Sequence, residues 1–360
     1  MSHGTVDTRT STTATSRPPG PSLAGLVGVE LRRLWWRRLT KVVLVAALAV
    51  IGIATFAVYQ ETKPETMAQR VADYNRMVAD MKQQRDAMSA ADRAQQRADC
   101  ERQQAEQRKT DPAADFRCDQ MFEPPTPAAF GLVNTDRGQL LRKLVQDSTF
   151  IFGFLAFLLG TSLVAAEFSS GSMSSWLTFQ PRRLRVGTAK LAAATLGGAV
   201  IGTLAVALAT LGVALVTALN PPGSDTAMSD APVVAGDSVG ASLVRVVVAV
   251  ALGGLGGAAI AFLFRATAGV MGMVLGYAVV VEGFIANGLA GGRLKPWLVS
   301  LNIEAFVKHD ATYFATVCDA DGCRGTQLTN SYTHGWVYLL VLSVVGVAAG
   351  LTAFRRRDVS

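Results

Sequence analysis

Residues 150–190 read FIFGFLAFLLGTSLVAAEFSSGSMSSWLTFQPRRLRVGTAK. The stretch opens with an apolar run of bilayer-crossing length, and a single carboxylate, Glu167, closes it. A small-residue turn follows at Ser169-Ser170-Gly171-Ser172, then a partly apolar segment through Trp176, Leu177 and Phe179. Pro181 and a basic cluster of Arg182, Arg183 and Arg185 come next, before Lys190 and a second apolar run. Two membrane helices joined by a short basic loop are expected. Such loops stay on the cytoplasmic side, so this one offers a surface on which a cytoplasmic partner can push.

The composition agrees. Half of the 360 residues are hydrophobic and 17% are charged, and several apolar runs reach about 18 residues or more, which soluble domains rarely need. The fold class expected is an all-α polytopic membrane protein of six transmembrane helices, with an interfacial N-terminal helix and an extracellular helical hairpin inserted after the first span. The net charge of +7 would suggest nucleic acid in a soluble chain. Here the basic clusters flank membrane runs, where topology and anionic headgroups account for them, and no nucleic-acid partner is expected.

Outward from that loop the chain divides as follows. Residues 1–21, rich in Ser, Thr, Pro and Gly, are expected to be a disordered cytoplasmic tail. No cleavable signal peptide is expected, because the first apolar run lacks a small-residue cleavage site after it. In residues 22–41, Leu23, Leu26, Val27, Leu31 and Leu34 recur at helical spacing, and Arg32, Arg33, Arg37 and Arg38 surround Trp35-Trp36. That is the pattern of a helix lying in the headgroup region; the plainer reading is a positive-inside anchor. Spans are expected at 42–59, 149–167, 186–219, 239–264, 266–289 and 336–354, with the coupling loop at 168–185 and a cytoplasmic tail at 355–360. Residues 60–148, 220–238 and 290–335 then lie outside, and both termini inside a plasma membrane. The basic clusters fall on the inner face, with Arg293 and Lys295 as exceptions.

In the first outer segment, Met67, Val71, Tyr74, Val78, Met81 and Met88 follow a heptad seam. Ser89 and Asp92 resemble a capping box for a second helix, to which Ala91, Ala94, Ala98 and Ala105 give a narrow apolar stripe. A projecting helical hairpin is expected, serving either as a solvated spacer or as a surface for an extracellular or cell-wall partner. The four cysteines, Cys100, Cys118, Cys318 and Cys323, fall outside the spans. Local bridges Cys100–Cys118 and Cys318–Cys323 are the simplest of the three pairings, with a zinc site as the rival, and no metal is expected because paired C-x-x-C spacing is missing.

Arg245 and Glu282 lie inside spans, at similar distances from the outer ends of the fourth and fifth. Intramembrane charges are costly. An interhelical ion pair is the structural reading; substrate passage, proton coupling and snorkelling at the interface are the others. Glu167 is expected to cap its turn or to pair with Arg182, Arg183 or Arg185. Gly253-Gly254-Leu255-Gly256-Gly257 and the Gly272-x-x-x-Gly276 spacing predict close helix packing. There is no H-E-x-x-H pair and no G-x-x-x-x-G-K-[ST] phosphate loop. No catalytic residues are therefore expected, and the energy for any work must come from another subunit or from an ion gradient.

Glu167, Gly171-Ser172, Pro181-Arg182-Arg183 and Lys190, with six spans and an interfacial helix before the first, resemble the membrane subunits of ABC-2-type transporters of the actinobacterial type. The resemblance covers residues 22–59 and 150–354. It implies a permease, not itself an enzyme, paired with a second permease subunit, identical or not, over two cytoplasmic ATPases. ATP and Mg would be bound by those partners, with no cofactor bound by this chain. It further implies that the loop with Glu167, Gly171, Ser172, Trp176, Pro181, Arg182, Arg183 and Arg185 is the ATPase-coupling element. The other reading is an ATPase-coupled signalling or mechanical transmission protein that acts on a cell-wall partner through the hairpin.

Overall fold

The computed structural model describes residues 22–110, 116–127, 130, 132–134, 136–179, 182–221, 229–230, 237–289, 292–319 and 322–356. The expected tail at 1–21, Pro181, Arg357 and most of the 220–238 segment lie outside the described residues.

Helix α1, Leu23–Trp36, starts where the Ser22 side chain accepts the Gly25 amide at 3.1 Å. It stops at Arg37, which is extended (φ −70°, ψ 140°), and α2 resumes as Arg38–Glu61. The chain therefore breaks inside the basic cluster, ahead of the expected start of the first span. Helices α3, Pro64–Ala87, and α4, Ala90–Thr110, follow. The expected capping box forms: the Ser89 hydroxyl accepts the Asp92 amide at 3.1 Å and donates to its carboxylate at 2.7 Å. The two helices do not zip together, however. Ala91, Ala94, Ala98 and Ala105 of α4 are exposed. The return segment covers the α3 seam instead: the Tyr74 hydroxyl donates to the Pro125 carbonyl at 3.1 Å and its ring packs on Phe130. A Cys100–Cys118 disulfide, with Cα atoms 5.8 Å apart, ties that segment to α4.

Helix α5 runs Arg137–Ser169, well ahead of the expected start near residue 149. Asp136 caps it by accepting the Gln139 amide at 2.6 Å, and Leu140, Leu141, Leu144 and Val145 continue its inward stripe beyond bilayer length. Short α6, Ser172–Phe179, precedes α7, Arg183–Leu219, and α8, Val239–Phe264. Strand β1, Val133–Asn134, pairs in parallel with β2, Ser229–Asp230. Helix α9, Thr267–Gly276, runs into a π-helical segment, Tyr277–Leu289. Residues 290–335, expected as loop, carry α10, Val299–Lys308, and a β-hairpin of β3, Asp310–Asp319, and β4, Gly322–Ser331. The last helix, α11, is Tyr332–Arg356, starting before the expected residue 336. Lys308 ties α10 to α5 through Asp147 at 3.6 Å and bonds Glu304 at 3.0 Å. Burial works against its charge, but Glu304 and Asp147 outweigh it and hold the ammonium above its ordinary value.

Among the described residues six helices are long and apolar enough to cross a membrane: α2, α5, α7, α8, the composite Thr267–Phe284 and α11. Helices α5, α7 and α8 form the core. Their contact depends on glycine. A Cβ on Gly160 would lie 2.0 Å from the Gly254 carbonyl oxygen, and one on Gly257 would lie 2.1 Å from that of Phe157. The helices meet backbone to backbone, as small residues allow in membranes. The Gly272/Gly276 pair expected to do the same meets nothing within 4 Å. Around the core, α2, the composite helix and α11 turn Val45, Ile53, Phe284 and Val344 outward, as lipid-facing helices do.

Candidate functional site

The bundle end that carries α6, the start of α2 and the end of α11 holds a buried charge cluster. Glu30 falls on the apolar stripe of α1 among Leu26, Val27, Leu31 and Leu34, and is only 3% exposed. Glu167, also 3% exposed, comes from the last turn of α5. Between them Lys190, from the second turn of α7, is fully buried. Its ammonium donates to Glu167 Oε2 at 2.7 Å and to Glu30 Oε1 at 2.9 Å. Arg37, at the α1–α2 break, donates to Glu167 Oε1 at 3.0 Å and to the Ser162 carbonyl at 2.6 Å. Arg33 lies 3.3 Å from Glu167 and 3.7 Å from Glu30. Two carboxylates thus face one ammonium and two guanidiniums. A buried charge without such partners would cost several kcal/mol, so the cluster holds α1, α5 and α7 in one relation.

The expected pairing of Glu167 with Arg182, Arg183 or Arg185 is not among its ion pairs, because its side chain is buried against α7 and α1. Its partners are Lys190, Arg37 and Arg33. The loop joins the cluster through another residue: the Arg33 guanidinium stacks over the Trp176 ring of α6 at 5.2 Å. Gly171 opens α6 with φ +70°, a left-handed turn open to glycine without strain. The Ser172 hydroxyl lies 3.5 Å from the Glu167 carbonyl and 3.1 Å from the Ser170 hydroxyl, and Met173 is fully buried beneath. Arg182 is exposed at the start of α7, with Arg183 and Arg185 half-buried on its first turn. Beside them, Phe168, Phe262 and Phe354 pack ring to ring, and Arg265 lies over Phe168 at 5.3 Å. That cluster joins α5, α8 and α11 at this end of the bundle.

The two intramembrane charges take separate partners, at the opposite end of the bundle. Arg245 bonds Asp237 at 2.6 Å and lies over the Tyr332 ring at 5.6 Å, and Arg142 donates to the Asp237 carbonyl at 2.8 Å. Glu282 instead accepts the Ser300 amide at 3.1 Å, while the Tyr277 hydroxyl accepts the Val299 amide at 3.0 Å. The expected Arg245–Glu282 pair gives way because α10, whose own Leu298 provides no side-chain cap, presents open amides and a positive dipole end to Glu282. At the hairpin tip the β3–β4 register sets Cys318 opposite Cys323; their side chains lie outside the described residues.

Sequence reasoning missed Glu30. Its signal was present: the one acidic residue of residues 22–41 sits in phase with the apolar stripe, where an unpaired carboxylate would be too costly to bury. No family model and no curated protein matches the chain.

Proposed function

We propose that this chain is the membrane-spanning permease subunit of an ATP-binding-cassette exporter of the plasma membrane. In this reading ATP and Mg are bound by separate cytoplasmic ATPase subunits, and two permease subunits sit side by side. The buried cluster at the basic loop carries the reading. An ATPase pressing on α6 would load Trp176, and through it Arg33, Glu30, Glu167 and Lys190. These residues join the interfacial helix to α5 and α7, so a push on one short helix is shared by the spans instead of being absorbed by a flexible loop. A bundle with two arrangements, biased by nucleotide in the partner, converts that push into opening. The exposed Arg182 offers a first contact for an acidic groove on the ATPase.

One observation favours the transmission reading. Among the described residues, helices α5, α7 and α8 meet through glycines with no space for a methyl group, which leaves no room for cargo at those contacts. In an exporter the path lies at the face shared with a second permease subunit. In a transmission protein there is no path, and motion leaves through the arm formed by α3 and α4. Purifying the tagged chain from native membranes in mild detergent tests the proposal. A co-purifying ATP-binding-cassette ATPase whose turnover depends on this chain supports it. A chain that purifies alone, or with a cell-wall enzyme and no ATPase, refutes it.

A further inference from the structure

The arm beyond the spans contains a cleft of about 590 Å³. Its floor is the exposed face of α4, where Ala90, Ala94 and Ala98 recur every fourth residue and so line up. Arg85, Arg93 and Arg97 line the end nearer the α3–α4 corner. Glu101, Asp119 and Glu123 stand at the other end, with the half-buried Phe122 among them. Three ties fix these walls. The Arg93 guanidinium donates to the Arg85 carbonyl at 2.9 Å, closing the α3–α4 corner. The Cys100–Cys118 disulfide and the bond from the Phe116 amide to Gln104 Oε1 at 2.8 Å pin the return segment to α4.

The charges of the cleft do not satisfy one another. Among the described residues no ion pair joins its three arginines to its three acids; Arg85 turns its Nε to Asp86, outside the cleft, at 3.1 Å. Both signs therefore face one concave space, the arginines toward the α3–α4 corner and the acids toward the disulfide end, above a floor of methyl groups.

We propose that this cleft binds a short zwitterionic peptide laid along α4, with carboxylates at the arginine end and an ammonium at the acidic end. Guanidiniums take carboxylates in paired, parallel hydrogen bonds, which gives the arginine end geometric selectivity as well as charge. The floor from Ala90 to Glu101 runs about 16 Å at 1.5 Å per residue of helix, the length of about four or five residues of extended peptide. The volume lies inside the range of about 300–1,000 Å³ that small-ligand sites occupy. The inference does not depend on ATPase coupling.

The test is calorimetric titration of the full chain in lipid nanodiscs with the tetrapeptide Ala-Glu-Lys-Ala, its termini free. Saturable binding at one site per chain is expected, weakened at least tenfold by Arg93→Ala with Arg97→Ala, and likewise by Asp119→Asn with Glu123→Gln. Ala94→Leu removes no charge and suits a helix, yet fills the floor, and should abolish binding while leaving thermal unfolding unchanged. Absence of saturable binding, or binding that Ala94→Leu leaves intact, overturns the proposal. Tripolyphosphate binding more tightly than the peptide, with no response to the Asp119 and Glu123 changes, also overturns it by making the cleft a plain anion site.

Discussion

Replacing Lys190 with Met removes the one cation that bridges both buried carboxylates, and its cost can be worked from the geometry. Glu167 keeps Arg37 at 3.0 Å and Arg33 at 3.3 Å. Glu30 keeps only Arg33, at 3.7 Å, and its Oε2 already has no hydrogen-bond partner. The loss therefore falls mainly on Glu30. Removing one partner of a buried pair costs about 3–5 kcal/mol, and because Glu167 stays compensated we place Lys190→Met near the lower end, about 3 kcal/mol. That is about a hundredfold in the ratio of folded to unfolded chain. Adding Glu30→Gln removes the stranded charge and should return about 1–3 kcal/mol, the usual coupling between contacting groups. Unfolding in mixed micelles can be followed by tryptophan emission, with Trp35, Trp36 and Trp176 on or beside the elements involved. A Lys190→Met chain within about 0.5 kcal/mol of wild type would behave like a surface substitution. That result, or strictly additive effects of the two changes, would refute the claim that the cluster holds α1 to α7.

Gly160→Ala forces a methyl into the Gly254 carbonyl and should cost at least about 1–3 kcal/mol by overpacking. Gly256→Ala, which meets nothing within 4 Å, should be neutral or stabilise by up to about 1 kcal/mol in the same unfolding assay, and a loss equal to that of Gly160→Ala would contradict the packing described. Cys100 and Cys118 should resist alkylation until reduced, as read by mass spectrometry of labelled peptides; free thiols at both would remove one tie on the arm. Arg245→Gln should destabilise more when Asp237 is intact than when it is Asn, and Glu282→Gln should leave that coupling unchanged. A coupling that follows Glu282 would restore the pairing first read from the sequence.

The spans were legible because about 18 apolar residues in a row have few uses besides crossing a bilayer. Helix partners were not, because they are set by long-range packing. Glu167 lies 23 residues from Lys190 and 130 from Arg37. A sequence reading favoured the arginines of its own loop because they are near in the chain. The Arg245–Asp237 pair was hidden in the same way, since Asp237 reads as loop and Glu282 matches Arg245 in apparent depth. The β3–β4 hairpin was in part legible: Thr312, Tyr313, Phe314, Thr316 and Val317 favour strands, and Gly322 marks a turn nearby. The π-helical turn around Glu282 left no comparable mark, since only its contact with α10 distinguishes it from an apolar α-helix. For the arm, the heptad seam predicted a helix correctly but not its cover. Tyr74 is met by Pro125 and Phe130 rather than by α4.

In the proposed coupling, force from an ATPase enters through α6 and the adjoining Arg182 and Arg183. The most direct measurement is ATP turnover by the purified complex in proteoliposomes, with and without Arg182→Glu and Arg183→Glu, after confirming that the variant inserts and unfolds as wild type does. Charge reversal should abolish the dependence of turnover on this chain while leaving the fold intact. Turnover unchanged in a complex that still assembles would contradict it.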